Sequence, residues 1–402
     1  MENAASIVVQ KYGGSSVADA ERLRQVARRV VDTVERGHRV VVVISAMGKT
    51  TDELLRLAHS VTPDPPRREL DMLLTTGERI SSALLSMAII SLGHDAISFT
   101  GSQCGILTTH RHTNARILEV RPYRVQDELD RGRVVVIAGY QGVSYKREIT
   151  TLGRGGSDTT AVAMAAALGA EYCEICSDVD GVYTGDPRVV EQPQHLEEIS
   201  YAEMQELALH GAKVLNAQAV EFARRAGIEI FARATSGSGR VTRVVGQTDR
   251  RGQAVGVSGL RDLVCVHGDG GTAQLSRLVQ VLQEHQTIPI RARLYDGQPA
   301  LWISRENCHD YGSLRRRLEK AGGMVWFEED LEAASVVGEG LGDDPNHLSG
   351  ALGLVERINV PLHSIDTAPM RLTLFLHPGH LDETVRALHR QFIEEDPLAE
   401  PF

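Results

Sequence analysis

The sequence predicts an α/β protein: a mostly parallel sheet sandwiched by helices, followed by two small ferredoxin-like βαββαβ modules. Three observations predict it. Runs of Val and Ile unrelieved by polar alternation call for strands buried on both faces. Amphipathic helical stretches fall between these runs, as an α/β layer requires. Past residue 250 the element order changes to that of two compact split-βαβ units.

Taken in order, residues 6–10 form a short strand, 19–36 a helix and 39–45 a buried strand. Strands follow at 96–100, 134–139, 172–177 and 229–232, with helices at 70–92, 157–168 and 202–227. The Gly-, Ser-, Thr- and Arg-rich stretch 236–251 marks a boundary, so one domain is expected over 1–250 and a second region over 251–402. There, strand 262–268, helix 273–285, strands 288–295 and 300–304, helix 311–321 and strand 324–328 make one module. The second runs through strand 334–338, helix 345–358, strands 362–365 and 370–377 and helix 381–392, and stops one strand short. Modules are expected over about 262–330 and 332–397, with strand 254–259 a candidate to fill the vacancy in the second.

Composition narrows the function. The 402 residues are 42% hydrophobic and 24% charged, enough for two or three globular domains. No apolar run approaches twenty residues, so no membrane span is expected, and the first residues lack the basic start of a signal peptide. The expected location is the cytoplasm. Forty-three basic against fifty-three acidic side chains give a charge of −10, which disfavours a nucleic-acid partner. Five scattered cysteines form no disulfide framework, and Cys173 and Cys176, a CxxC without a second pair, read as buried thiols rather than zinc ligands.

Lys11-Tyr12-Gly13-Gly14-Ser15-Ser16 follows the first strand, placing a lysine beside two glycines where backbone amides can approach a phosphate. The same segment alone also suits an ordinary strand-to-helix turn. Gly48-Lys49-Thr50 imitates the end of a P-loop, but its first glycine is replaced by Val43, leaving Ser45 and Thr51 as hydroxyl donors. Glu78 stands early in an apolar helix, a place any first-turn acid favours. More specific is 150–160, where three glycines, Arg154 and several hydroxyls precede an Ala-rich helix. An amino acid fits there, with Arg154 bidentate on its carboxylate and Asp158 or Glu78 on its ammonium. After the strand at 172–177, Asp178 suits a ribose hydroxyl or adenine amine, Tyr183 a base and Arg188 a phosphate, although a structural hairpin accounts for the segment equally well. Lys213 lies in an otherwise apolar helical segment and needs a partner.

Together these segments resemble the aspartate kinase family of the amino-acid kinase superfamily. Lys11–Ser16, Ser45–Gly48, Gly77–Ile80, Phe99–Gln103, Gly153–Ala161 and Asp178–Tyr183 match its motifs in order and spacing. The resemblance implies transfer of the ATP γ-phosphoryl group to the side-chain carboxylate of L-aspartate. It implies that Lys11, Arg154 and Asp158 serve catalysis, that Ser45, Thr51, Glu78, Arg154, Ser157 and Asp158 hold aspartate, and that Lys11, Gly13, Gly14, Ser177, Asp178, Tyr183, Arg188 and Lys213 hold ATP. Mg2+ is carried by the phosphates and water, with no protein ligand assigned. Residues 1–250 are then the catalytic domain, and 251–402 is a regulatory region of two ACT-like modules joining a homodimer.

The tail departs from the family pattern. Gly268-Asp269-Gly270-Gly271-Thr272, Ile288-Pro289-Ile290-Arg291-Ala292-Arg293 and Ile365-Asp366-Thr367-Ala368-Pro369-Met370 replace its usual effector contacts, so weak or absent inhibition by lysine and threonine is expected. Two alternatives remain: a relative that phosphorylates a modified acidic amino acid, and an inert amino-acid sensor.

Overall fold

The computed structural model of the protein describes residues 5–395 except Arg154, Ser238, Gln286 and His309. Its contacts define two units: the described residues of Met1–Val182, His195–Gln205 and Lys213–Thr248, and those of Tyr183–Gln194, Glu206–Ala212 and Asp249–Phe402.

The chain begins with β1 (Ile7–Tyr12), α1 (Ala20–Glu35), β2 (Arg39–Ile44), α2 (Thr50–Val61), α3 (Arg67–Leu74), α4 (Thr76–Ser91) and β3 (Ala96–Phe99). It continues with β4 (Ile106–Thr108), β5 (Ile117–Val120), α5 (Tyr123–Asp130), β6 (Val134–Ala138), β7 (Gln141–Ser144), β8 (Ile149–Thr151), α6 (Gly156–Leu168) and β9 (Tyr172–Ser177). Then come β10 (Val182–Tyr183), β11 (His195–Leu196), β12 (Glu198–Ser200), α7 (Tyr201–Leu209), α8 (Ala217–Ala226), β13 (Ile230–Ala234) and β14 (Val241–Val245).

The main sheet runs β12-β14-β13-β9-β1-β2-β6-β3 and is parallel except between β13 and β14. Burial on both faces explains the apolar runs. On one side Val40, Val42 and Ile44 meet Leu23, Val26, Ala27 and Val30 of α1 and Leu85 and Ile89 of α4. On the other side lies α6, buried nearly all round because its alanines allow close approach. The spacing of those α1 residues is the 3.6-residue stripe of a core helix, and Asp19 caps its start by accepting from the Arg22 amide at 2.9 Å. A smaller sheet, β5-β4-β7-β8, completes this unit.

The helix expected over 70–92 is two, α3 and α4, separated by Thr75. Arg67–Ser91 taken as one stretch has the length and apolar content that core helices and membrane spans share. Half of its most apolar window is buried, as in a core helix.

The second unit is built on β15 (Gly256–Gly268), α9 (Gly271–Glu284), β16 (Arg291–Tyr295), β17 (Gln298–Ser304), α10 (Tyr311–Leu318), β18 (Val325–Val337), α11 (Pro345–Ile358), β19 (Leu362–Ala368), β20 (Arg371–Leu376) and α12 (Leu381–His389). All six strands form one antiparallel sheet, β16-β17-β15-β18-β20-β19. The strands expected at 254–259 and 262–268 are continuous in β15, and those at 324–328 and 334–338 in β18. Both strands break pattern at an aspartate of positive φ, Asp262 at 54° and Asp330 at 58°, a conformation this short polar side chain tolerates. Arg305 pairs with both. The sheet turns back on itself there, so that Arg291 of one edge strand meets Asp366 of the other at 3.3 Å. Helices α9 and α10 cover one half and α11 and α12 the other. Leu263, Cys265, Trp302, Leu331 and Phe375 fill the space between the halves.

Candidate active site

The site is assembled where parallel strands end, the usual place for ligands in such sheets. Tyr12, Ile44, Ala138 and Cys176 lie level in adjacent strands. Lys11, Gly13, Ser45, Gly139 and Ser177 therefore cluster along one edge.

Lys11 Nζ stands 2.6 Å from Asp158 Oδ1, with the two side chains only 12% and 11% exposed. Asp158 reaches it from the first turn of α6, whose backbone enters through Gly155 at φ 70°. A side chain at Gly155 would place its Cβ 2.0 Å from Asn216 Nδ2, so close approach as well as conformation demands glycine. Ser157 sits over Gly139, where an added Cβ would come within 2.7 Å of its Oγ. At Gly13 an added Cβ would stand 3.5 Å from Lys11 Nζ, so the ammonium lies above the glycine turn. The next glycine, Gly14, accepts from the Gly48 amide at 3.0 Å and packs against the Ala46 carbonyl.

Glu78 joins this floor from α4. It is 3% exposed and accepts from the Ala46 amide at 3.2 Å. Its second oxygen, Oε2, is buried without a hydrogen-bond partner. Burial raises the carboxyl from 4.5 to about 7, despite the amides that favour its ionised form. An orphaned acid oxygen of this kind suits a cationic group from a ligand. Gly77 brings α4 close, since an added Cβ would lie 2.8 Å from Ala46 Cβ, and Ser81 donates to the Ser45 carbonyl at 2.8 Å.

The structure thus brings Lys11, Gly13, Gly14, Ser45, Glu78, Ser157 and Asp158 to one edge. Thr51 is half-buried in the first turn of α2. Ser177 caps its own turn through the Val179 amide at 3.3 Å, and Asp178 beside it is exposed. Lys213 differs from expectation, being exposed between α7 and α8 rather than within a helix. Tyr183 and Arg188 belong to the second unit, where Arg188 pairs with Asp186 at 2.7 Å. Arg154 lies outside the described residues. All five cysteines are free, and Cys173 and Cys176 are fully buried thiols pushed up by burial, Cys176 to about 12.

Sequence reading missed two buried polar networks. Glu174 binds Gln10 at 2.8 Å, Arg233 at 2.8 Å and Arg29 at 3.3 Å, holding β9 to its neighbours. Asp71, fully buried, binds His112 Nδ1 at 2.7 Å, Thr151 Oγ1 at 2.6 Å and the Thr113 amide, bracing the approach to residues 153–158. The one sequence signal for each is an acid inside an apolar run.

A parallel sheet whose edge offers a lysine, a glycine turn and a helix N-terminus is that of a phosphotransferase, and the sequence profile of the amino acid kinase family matches residues 6–232. Over 96% of this chain and 96% of its own length, an aspartokinase of Corynebacterium glutamicum is 43% identical. One from Thermus thermophilus is 39% identical, over 96% and 98%. The solved structure of E. coli aspartokinase III with aspartate and ADP has the same fold, with a TM-score of 0.83 over 95% of this chain and 99% of that one at 23% identity. The chain belongs to the aspartokinase family.

Proposed function

We propose that the protein transfers the γ-phosphoryl group of ATP to the side-chain carboxylate of L-aspartate, giving 4-phospho-L-aspartate. The observation that carries the reading is the buried Lys11–Asp158 pair beside the glycine turn, with the unpartnered Glu78 carboxyl on the same floor. The acceptor needs no general base, because a carboxylate of pKa ~3.9 is already ionised at neutral pH. The site must align two anions and spread the charge of an in-line transfer. Lys11 meets the transferring phosphoryl group, helped by the amides at Gly13 and Gly14. Ser45, Thr51, Ser157 and Asp158 position aspartate, Arg154 takes its α-carboxylate and Glu78 its ammonium. Ser177, Asp178, Tyr183, Arg188 and Lys213 serve the nucleotide. Mg2+ arrives on the ATP phosphates; this fits a floor whose buried Asp158 is already committed to Lys11. With ATP and a free amino acid as substrates, the enzyme is placed in the cytoplasm.

Trapping the acyl phosphate with hydroxylamine tests this. Aspartyl hydroxamate from MgATP and L-aspartate is the expected product, and its absence from folded protein overturns the reading.

Residues 1–250 are proposed as the catalytic domain and 251–402 as two ACT-like modules that join a homodimer. Feedback by lysine or threonine is proposed to be weak or absent. Helix N-termini are natural seats for an effector carboxylate, but here the chain fills them. Gln274 Oε1 accepts from the Gly270 amide at 2.6 Å at the start of α9. Glu332 Oε2 accepts from the Gly379, His380 and Leu381 amides at 3.0, 3.0 and 2.9 Å at the start of α12. Titration with both amino acids is expected to leave activity unchanged into the millimolar range, and half-inhibition at low millimolar concentration or below would sink the idea.

A further inference from the structure

Among the described residues one group offers three nitrogen and oxygen ligand atoms within 4.8 Å of one another: His267, Glu328 and His363. It lies in the second unit, on β15, β18 and β19. His363 Nε2 is 2.5 Å from Glu328 Oε2, and His267 Nε2 is 3.5 Å from Glu328 Oε1. His267 Nε2 is also buried without a hydrogen-bond partner.

We propose that these three residues form a divalent-metal site, with zinc as its occupant, that clamps the two halves of the folded sheet together. In a tetrahedral zinc site with bonds of about 2.0–2.1 Å, ligand atoms stand about 3.3 Å apart, between the separations seen here. The remaining pair, His267 and His363, lies within 4.8 Å. Both rings are pre-oriented. His267 stacks on Trp326 with ring centroids 5.2 Å apart and planes at 7°. His363 Nδ1 lies 3.2 Å from Ser364 Oγ, a hydroxyl placed to accept the Nδ1 proton once a metal takes Nε2 from its contact with Glu328. Two imidazoles and one carboxylate suit zinc better than magnesium, which prefers six oxygens. Three protein ligands leave a fourth position for water.

The clamp is long-range in sequence. His267 and Glu328 come from the half covered by α9 and α10, whereas His363 comes from the strand at the far edge, where Arg291 already reaches Asp366. A metal there ties β19 to β15 and β18.

The test uses the full chain, stripped with chelator and free of nucleotide. Equilibrium dialysis against zinc is expected to give one equivalent per chain, retained in a large excess of Mg2+, with a raised thermal midpoint. Substitution by Co2+ is expected to give the intense visible bands of a tetrahedral ion. His267→Ala and His363→Ala each weaken zinc binding by at least about 100-fold, whereas His347→Ala, outside the cluster, leaves it intact. Wild-type protein that binds no stoichiometric zinc, or a weak octahedral cobalt spectrum, overturns the proposal whether or not the variants fold. Stoichiometric zinc retained by the double variant His267→Ala/His363→Ala overturns it equally.

Discussion

Lys11→Met is expected to lower the phosphoryl-transfer rate by about 10²–10³-fold, the usual effect of removing one preorganised charge from a transition state. Methionine keeps the packing of β1, so the loss is electrostatic rather than a cavity. The substitution also leaves Asp158 buried without its cation, and breaking a buried pair in this way costs about 3–5 kcal/mol of stability. The double variant Lys11→Met/Asp158→Asn isolates the stability cost of the stranded charge. It recovers most of the stability, because the stranded charge is gone, while transfer stays slow. Hydroxamate formation in single turnover, read beside urea unfolding, checks both. If the double variant regains activity along with stability, Lys11 acts only as the counter-ion of Asp158.

The main sheet was legible because β2 and β6 bury both faces and so, past Arg39 at the start of β2, carry nothing but aliphatic residues. Lys11, Glu78 and Asp158 were legible because each sits in a short motif whose glycines fix the backbone beside it. Chain breaks inside apolar stretches were harder to see. Helices α7 and α8 read as one because the hydrophobic pattern runs on through 210–216. The reason they part is spatial: Gly211, at φ 117°, passes so close to Gly259 that an added Cβ would lie 2.0 Å from its carbonyl oxygen. The long strands β15 and β18 erred the other way. Asp262 and Asp330 interrupt the alternation and mimic strand ends, although ladder pairing resumes beyond each of them. The cluster of His267, Glu328 and His363 was invisible for a third reason, since nothing in sequence places residue 363 beside 267 and 328 until the sheet folds on itself.

Glu78 makes a pH prediction whose direction follows from its burial. Its carboxyl titrates near 7 in the free enzyme, because desolvation penalises the charged form. In the role proposed for Glu78 only the ionised form attracts the substrate ammonium, so kcat/KM for aspartate is expected to fall about tenfold per pH unit below about 7. Bound aspartate supplies the missing charge and pulls the pKa down, which moves the corresponding limb of kcat to lower pH. In Glu78→Gln that acid limb disappears from kcat/KM, and KM for aspartate rises about 10–100-fold, the worth of a hydrogen bond to a charged group. Stability moves the opposite way. A carboxyl whose folded pKa is raised contributes stability that is fully present below its unfolded value of 4.5 and is lost as pH climbs through about 7. The contribution lost is up to about 3 kcal/mol at 1.36 kcal/mol per pKa unit. Glutamine carries no charge to bury, so Glu78→Gln is expected to match or exceed wild-type stability at pH 8 while binding aspartate worse. Chemical unfolding at pH 5 and pH 8, without substrate, reads this directly. A variant less stable than wild type at pH 8 would show that Glu78 holds the Ala46 turn in its ionised form, and that the charge is maintained for structure before any substrate arrives.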